Sequence, residues 1–290
     1  MHLRGRTDHR IHRRNRICGK GRLTIMRTPL VNIMDRAARK AARGLVRDFG
    51  ELENLQIARK GTADFVSSAD HAAEQAIKEE LLNARPRFGY LMEESGSLEG
   101  SDAEHRWIVD PLDGTTNFIH GIPHFSISIA LEHNGRLVSG VVYDPIKDEL
   151  FWGERGKGAY MNDRRMRVSG RRNLAESVLA TGIPFAGREG QQEFLKDAAT
   201  LMPEVAGIRR FGSAALDLAY VAAGRYEGFF ERHLSYWDMA AGILLVREAG
   251  GIVTDIQGGG EVVATGHIAA ANDAVHPQLI KLLKQAHSVR

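Results

Sequence analysis

Asp110 and Asp113 stand three residues apart in the stretch Trp107-Ile108-Val109-Asp110-Pro111-Leu112-Asp113-Gly114-Thr115-Thr116-Asn117-Phe118. Two carboxylates so close repel each other unless a positive charge lies between them. Pro111 fixes one φ angle between the acids, and Gly114 lets the backbone approach whatever they hold. Asp113-Gly114-Thr115-Thr116 reads as a helix start whose free N–H groups point back toward the acids. Acids beside an anion-favouring helix N-terminus suit divalent cations that bridge the protein to a phosphate. Other acids sit at comparable places. Glu93 and Glu94 end the run Tyr90-Leu91-Met92, Asp70 stands near the N-cap of a helical segment, and Asp238 opens a run that is almost entirely apolar from 239 to 249. Capping accounts for Asp70 and Asp238 as readily as chemistry does. An acid at the mouth of a buried helix is nonetheless costly unless it is paired or metal-bound.

The elements that must position these residues follow from periodicity. Val31, Met34, Ala38, Ala41, Ala42, Leu45 and Phe49 share one face of a helix over 30–49 that Gly50 stops. The turn-rich run Lys60–Asp70 leads into a second helix, about 70–84, with Asp70 near its N-cap. Trp107–Val109 is a short buried strand that delivers the acids to a polar turn. From 124 to 160 the pattern is of strands, with Asn134-Gly135 a hairpin turn. Strands at 177–181, 207–211 and 226–231 alternate with helices at 190–202 and 213–223. The buried helix at 239–249 ends at Gly250-Gly251. Strands at 252–254 and 268–271 and a helix at 275–286 complete the chain.

Length and composition set outer limits. A chain of 290 residues, 43% hydrophobic and 26% charged, is long enough for a large core and ordinary for a globular enzyme. No apolar run approaches the roughly 20 residues of a membrane-spanning helix. The single cysteine, Cys18, excludes an internal disulfide framework and fits a reducing, cytoplasmic compartment. The formal charge of +3 hides an uneven distribution. Residues 1–25 hold eight Arg and Lys against one acid, leaving 31 bases and 35 acids in the remainder. Three readings of this arm stand side by side: an extension from a misplaced start with Met26 as the first residue, a disordered basic arm, or an organellar transit segment. The rest, 26–290, reads as one catalytic domain. The twelve histidines are scattered, and are expected on the surface; neither HExxH nor a Cys/His cluster points to zinc, and no GxxxxGK[ST] loop points to a nucleotide triphosphatase.

The motifs Glu93-Glu94-Ser95, Asp110-Pro111-Leu112-Asp113-Gly114-Thr115-Thr116 and Trp237-Asp238-Met239-Ala240-Ala241-Gly242 occur in the order in which they occur in the inositol monophosphatase family, which this chain resembles over about 28–287. Gly212-Ser213-Ala214-Ala215-Leu216-Asp217 and Glu94-Ser95-Gly96 are similar to the bacterial SuhB branch. The resemblance implies a layered αβαβα sandwich, a Mg²⁺-dependent and Li⁺-sensitive phosphomonoesterase acting on myo-inositol monophosphate and related polyol phosphates, and a homodimer. It implies that Glu93, Asp110 and the Leu112 carbonyl hold one Mg²⁺ and that Asp110, Asp113 and Asp238 hold a second, with a third, weaker ion near Glu93. Thr115 with Asp70 would orient the attacking water, Gly114 and Thr115 N–H groups would cradle the phosphate, and Lys60 would ride on a loop over the site. Ser213, Ala214, Glu231 and Arg209 would face the alcohol. His233, between Glu231 and Asp238, leaves the alcohol preference open. The SuhB branch further implies a non-catalytic association with Nus factors, RNA polymerase and RNA.

Overall fold

The computed structural model describes residues 27–51, 57–60, 64–185 and 187–288, with the backbone alone at 57–60 and 64–67. The basic arm, the Lys60 side chain and the loop after it lie outside the described residues. In chain order the elements are α1 (Pro29–Phe49), β1 (Ile57–Lys60), β2 (Asp64–Ser67), α2 (Ser68–Ala84), β3 (Phe88–Met92), β4 (Gly96–Leu98), β5 (Asp102–Asp113), α3 (Thr115–Ile119), β6 (Ser126–His133), β7 (Arg136–Asp144), β8 (Glu149–Glu154), β9 (Gly158–Met161) and β10 (Arg164–Arg165). There follow β11 (Val178–Thr181), α4 (Gln191–Leu201), β12 (Gly207–Arg209), α5 (Ala214–Ala222), β13 (Gly228–Glu231), α6 (Tyr236–Glu248), β14 (Ile252–Thr254), α7 (Val262–Thr265), β15 (Ile268–Ala271) and α8 (His276–Ala286).

An eight-stranded sheet runs in the order β10-β9-β8-β7-β6-β5-β3-β4 and a five-stranded sheet in the order β12-β11-β13-β15-β14. Alternation along each strand assigns side chains to faces. Ile127, Ile129 and Leu131 of β6 join Trp107 and Val109 of β5 against Val31, Met34 and Leu45 of α1 and Ile77 and Leu81 of α2. The opposite face, with Ile108, Ala130, Val142 and Phe151, packs on α5 and α6, which also meet Ala180, Phe229 and Ala270 of the second sheet. Leu201 of α4 and Leu279 and Leu283 of α8 cover the far face of that sheet. The five layers are therefore α, β, α, β, α, as the family resemblance implies. Helix α6 is apolar on every side because it lies between two sheets, and it lies close: a Cβ on Gly242 would sit 2.5 Å from Leu218 Cβ, so only glycine lets α5 and α6 cross there.

Three expectations change. Strand β5 does not stop at Val109 but runs to Asp113, through Pro111. Asp110 pairs with Ser128 and Asp113 with Ser126, so β5 carries one extra residue there, and this bulge is where a proline without an N–H is tolerated inside a sheet. Helix α2 begins at Ser68, two residues earlier than expected, and so holds Asp70 buried inside its first turn. His276 is not a surface residue. It opens α8, is only 7% exposed, and its Nε2 lies 3.0 Å from Thr254 Oγ1, because α8 packs down on the second sheet. The Asn134-Gly135 turn forms as expected, with φ of 49° and 72°.

Candidate active site

The bulge in β5 turns Asp110 and Asp113 toward the layer of α5 and α6, whose N-termini face the same point. Asp110 is fully buried and its Oδ1 accepts from its own loop, at Leu112 N, 3.0 Å away. Burial pushes its carboxyl well above the usual carboxylate range, and the negative charges of Glu93, Asp113, Asp238 and Asp70 push it further. Asp113 crosses to α5. Its Oδ2 accepts from Ser213 Oγ and from Ala215 N at 2.8 Å, and its Oδ1 from Ala214 N at 3.3 Å. Burial raises the Asp113 carboxyl to about 6, against the pull of those donors. The carboxylate of Asp113 thus serves as the cap of α5, a place where helix N–H groups favour negative charge. Asp238 forms a capping box with Ser235, accepting from Ser235 N at 2.7 Å, and its carboxyl is raised by burial and by Asp113 and Glu93.

Glu93 follows β3, the strand parallel to β5, and its N–H donates to Val109 O at 3.2 Å. Glu74 holds that turn from α2, one helical turn beyond Asp70, accepting from Glu94 N at 2.9 Å and from the Ser95 hydroxyl. Thr115 Oγ1 donates to the Leu112 carbonyl at 2.9 Å. Gly114, with φ of +99°, turns the chain from β5 into α3; a Cβ there would press on His124 O at 3.1 Å and Gly212 O at 3.3 Å. Asn117 ties this turn to the start of α5, donating to His124 O at 2.8 Å and to Phe211 O at 2.7 Å.

Above these groups lies a cavity of about 240 Å³. Glu93, Asp113, Gly114, Thr115, Ser213, Ala214, Glu231 and Asp238 line it, while Asp110, Leu112 and Asp70 lie in the layer behind. Arg209 does not reach it: the strand end leaves that side chain exposed near Tyr226, and Arg210, with Arg188, lines the wall instead. Ser213 and Ala214 donate to Asp113 rather than standing free toward the cavity. Glu231, at the end of β13, is raised to about 8 by burial and by Asp113, with Arg210 and Arg188 opposing. Gly182 makes room for it, since a Cβ there would lie 1.8 Å from Glu231 Oε1.

Sequence reasoning missed Glu74, Asn117, Arg188, Arg210 and Asp217. Asp217 is 1% exposed on α5 and its Oδ1 has no hydrogen-bond partner among the described residues; its carboxyl is raised by burial, Glu231 and Asp113. The available signal was one acid in an otherwise apolar helix, four residues after Ser213. Gly182→Ala is expected to displace Glu231 and raise about tenfold the KM of any substrate that this cavity turns over, with little change in thermal midpoint. An unchanged KM, measured alongside thermal unfolding, would remove Glu231 from substrate binding.

The fold matches that of a solved inositol monophosphatase from Anabaena, with a TM-score of 0.77 and 40% identity, covering 88% of this chain and 95% of that one. Residues 26–288 match the inositol monophosphatase family. An inositol-1-monophosphatase of Mesorhizobium japonicum is 55% identical over 264 residues, 91% of this chain and 99% of that protein. The Nus factor SuhB of Escherichia coli (strain K12) is 47% identical over 255 residues, 88% of this chain and 94% of that protein. A crystal structure of the extragenic suppressor protein suhB from Bartonella henselae matches with a TM-score of 0.87 and 57% identity, covering 89% of this chain and 99% of that one. The chain belongs to the inositol monophosphatase family and is an enzyme of the phosphatase class. Among the described residues no helix is long and apolar enough to cross a membrane.

Proposed function

We propose that this chain, through one catalytic domain over 26–290, hydrolyses myo-inositol monophosphate and related polyol phosphates to the alcohol and inorganic phosphate with Mg²⁺ as cofactor. The observation that carries the reading is the set of mutually repelling acids at the cavity floor, with Asp110 at its centre and the carboxylates of Glu93, Asp113, Asp238 and Asp70 acting on it. Such a set is stable in ionised form only with cations among its members. Its donors are all hard oxygens, which suit Mg²⁺. Glu93, Asp110, Asp113, Asp238 and the Leu112 carbonyl would hold two or three ions, Asp110 shared between two. Bound Mg²⁺ supplies charge neutralisation for the phosphoryl group and makes water acidic enough to attack it.

The chain's own groups do the rest. The Thr115 hydroxyl, anchored on the Leu112 carbonyl, orients the attacking water together with Asp70. Gly114 leaves space for phosphate oxygens to reach the backbone N–H groups of the turn. Glu231, at the end of β13, would face the substrate hydroxyls while Arg188 and Arg210 set the charge of the wall. Thr115→Ala is expected to lower kcat about a hundredfold at nearly unchanged Mg²⁺ affinity, because a positioning hydroxyl and not a ligand is lost. Parallel steady-state kinetics and Mg²⁺ titration check this, and unchanged kcat would remove Thr115 from the reaction.

The direct test is phosphate release from inositol 1-phosphate with and without Mg²⁺ and with added Li⁺. Mg²⁺-dependent, Li⁺-inhibited release supports the reading; a folded, Mg²⁺-saturated protein that releases none overturns it. The relatives named Nus factor SuhB at 46 and 47% identity favour a second reading, an association of this chain with Nus factors, RNA polymerase or RNA. Retention by Nus factors of the Asp110→Asn protein would establish that role independently of catalysis. Homodimerisation, which the resemblance also implies, is measured by light scattering on the eluting protein.

A further inference from the structure

At the opposite end of β5 from the catalytic acids, a second group of metal-ligating side chains converges. His105 of β5 and His133 of β6 are direct partners in the antiparallel ladder. Their imidazoles lie parallel, centroids 4.3 Å apart, and Phe88 stacks on the other face of His105 at 4.4 Å. Glu104 brings a carboxylate to the same place, its Oε2 lying 3.3 Å from His133 Nε2, and one ligand atom from each of the three residues falls within 4.8 Å of the others. Asp102 completes the arrangement from behind: its carboxylate oxygens lie 3.0 and 3.2 Å from His105 Nδ1, which leaves Nε2 as that ring's available nitrogen. A carboxylate on the far nitrogen of an imidazole is the arrangement that orients histidine for metal binding and raises its basicity.

We propose that Glu104, His105 and His133 form a site for a late first-row divalent cation, of the Zn²⁺ type, separate from the acid-floored cavity. Two imidazoles and one carboxylate are the donors such ions take, with a water or another ligand completing a tetrahedron. Mg²⁺ prefers the all-oxygen set in the cavity. The parallel rings must swing well apart for both nitrogens to converge on one ion, and both side chains are partly exposed, at 26% and 41%, so there is room to turn. The position has a consequence for the fold. His105 precedes Asp110 by five residues of strand, about 17 Å at the usual rise, and an ion there pins β5 to β6 beside the Asn134-Gly135 hairpin without touching the reacting groups.

The test is Zn²⁺ titration by calorimetry of the full chain in saturating Mg²⁺, run on the parent protein and on His133→Gln, His105→Gln and Asp102→Asn. The expected result is one Zn²⁺ per chain, lost in either histidine variant, weakened about tenfold or more in Asp102→Asn, with Mg²⁺-dependent phosphatase activity unchanged in all three. Co²⁺ in place of Zn²⁺ gives visible bands that report imidazole coordination, and these should vanish in the histidine variants. Zn²⁺ binding that survives both histidine substitutions, whether at the arm histidines or in the acid cavity, would overturn the assignment. Because Zn²⁺ is read as heat and spectrum and not as turnover, the outcome is independent of whether the proposed hydrolysis is correct.

Discussion

Asp110→Asn is expected to lower phosphatase turnover by about a thousandfold or more while leaving the folded protein intact. The carboxylate sits where four other acids meet, and on the proposed reading losing its charge would remove the ligand that two ions share; charge stabilisation of several kcal/mol is at stake, and each 1.36 kcal/mol is tenfold in rate. Asparagine keeps the acceptor for Leu112 N, so the bulge of β5 survives. Removing a buried charge that burial and Glu93 both disfavour relieves repulsion, and the metal-free variant should unfold at the same temperature as the parent or above it. Steady-state kinetics with paired thermal unfolding checks both halves. Activity above a tenth of the parent's would show that Asp110 is not a shared ligand.

The second large effect is in stability against pH. In the metal-free protein, Asp110, Asp113, Asp238, Asp217 and Glu231 all have carboxyls raised by burial, Asp113 to about 6 and Glu231 to about 8. A group whose folded pKa exceeds its unfolded one holds more protons in the native state, so the stability it contributes is complete below about pH 4 and lost as pH rises through its folded value. Stability of the metal-free protein should therefore fall between pH 5 and 8, first through Asp113 near 6 and then through Glu231 near 8. The combined loss is on the order of a few kcal/mol, which for a chain of this size lowers the midpoint by roughly 5–10 °C. Saturating Mg²⁺ binds the ionised acids, so its stabilisation grows over the same window and flattens the curve. Thermal unfolding in chelator and in Mg²⁺ at pH 5, 6, 7 and 8 measures this directly. A metal-free midpoint that climbs from pH 5 to 8 would mean that protein cations already balance these acids.

Much of the candidate site was legible because its residues are written in short segments. Asp110, Asp113, Gly114 and Thr115 fall within six residues, and the turn that presents them needs a glycine at positive φ, a requirement visible in the sequence. The helix boundaries followed from apolar periodicity and from Gly50 and Gly250, and the hairpin from Asn134-Gly135, since these signals depend on local backbone preferences. Where local and tertiary preferences diverge the reading went astray. Pro111 suggested that the strand had ended, whereas pairing with β6 carries β5 through it by a bulge. Asp70 read as a cap because capping is local, yet α2 starts two residues earlier and buries it. Arg209 and Arg210 are adjacent, and the point at which β12 ends decides that Arg210 and not Arg209 reaches the cavity.

By itself the sequence determined the element pattern, the candidate acids and the family, because helix and strand periods, turn residues and runs of carboxylates are properties of neighbours along the chain. Only the tertiary structure decided that Asp113 caps α5, that Glu74 and Asn117 brace the turns, and that Glu231 needs the gap at Gly182. It also decided which acids are driven toward protonation, since burial and the charges of distant segments raise them. The pairing of His105 with His133 belongs to the same class: 28 positions apart in the chain, they meet because the register of β5 on β6 is set by the hydrophobic faces of two strands buried against helices on either side.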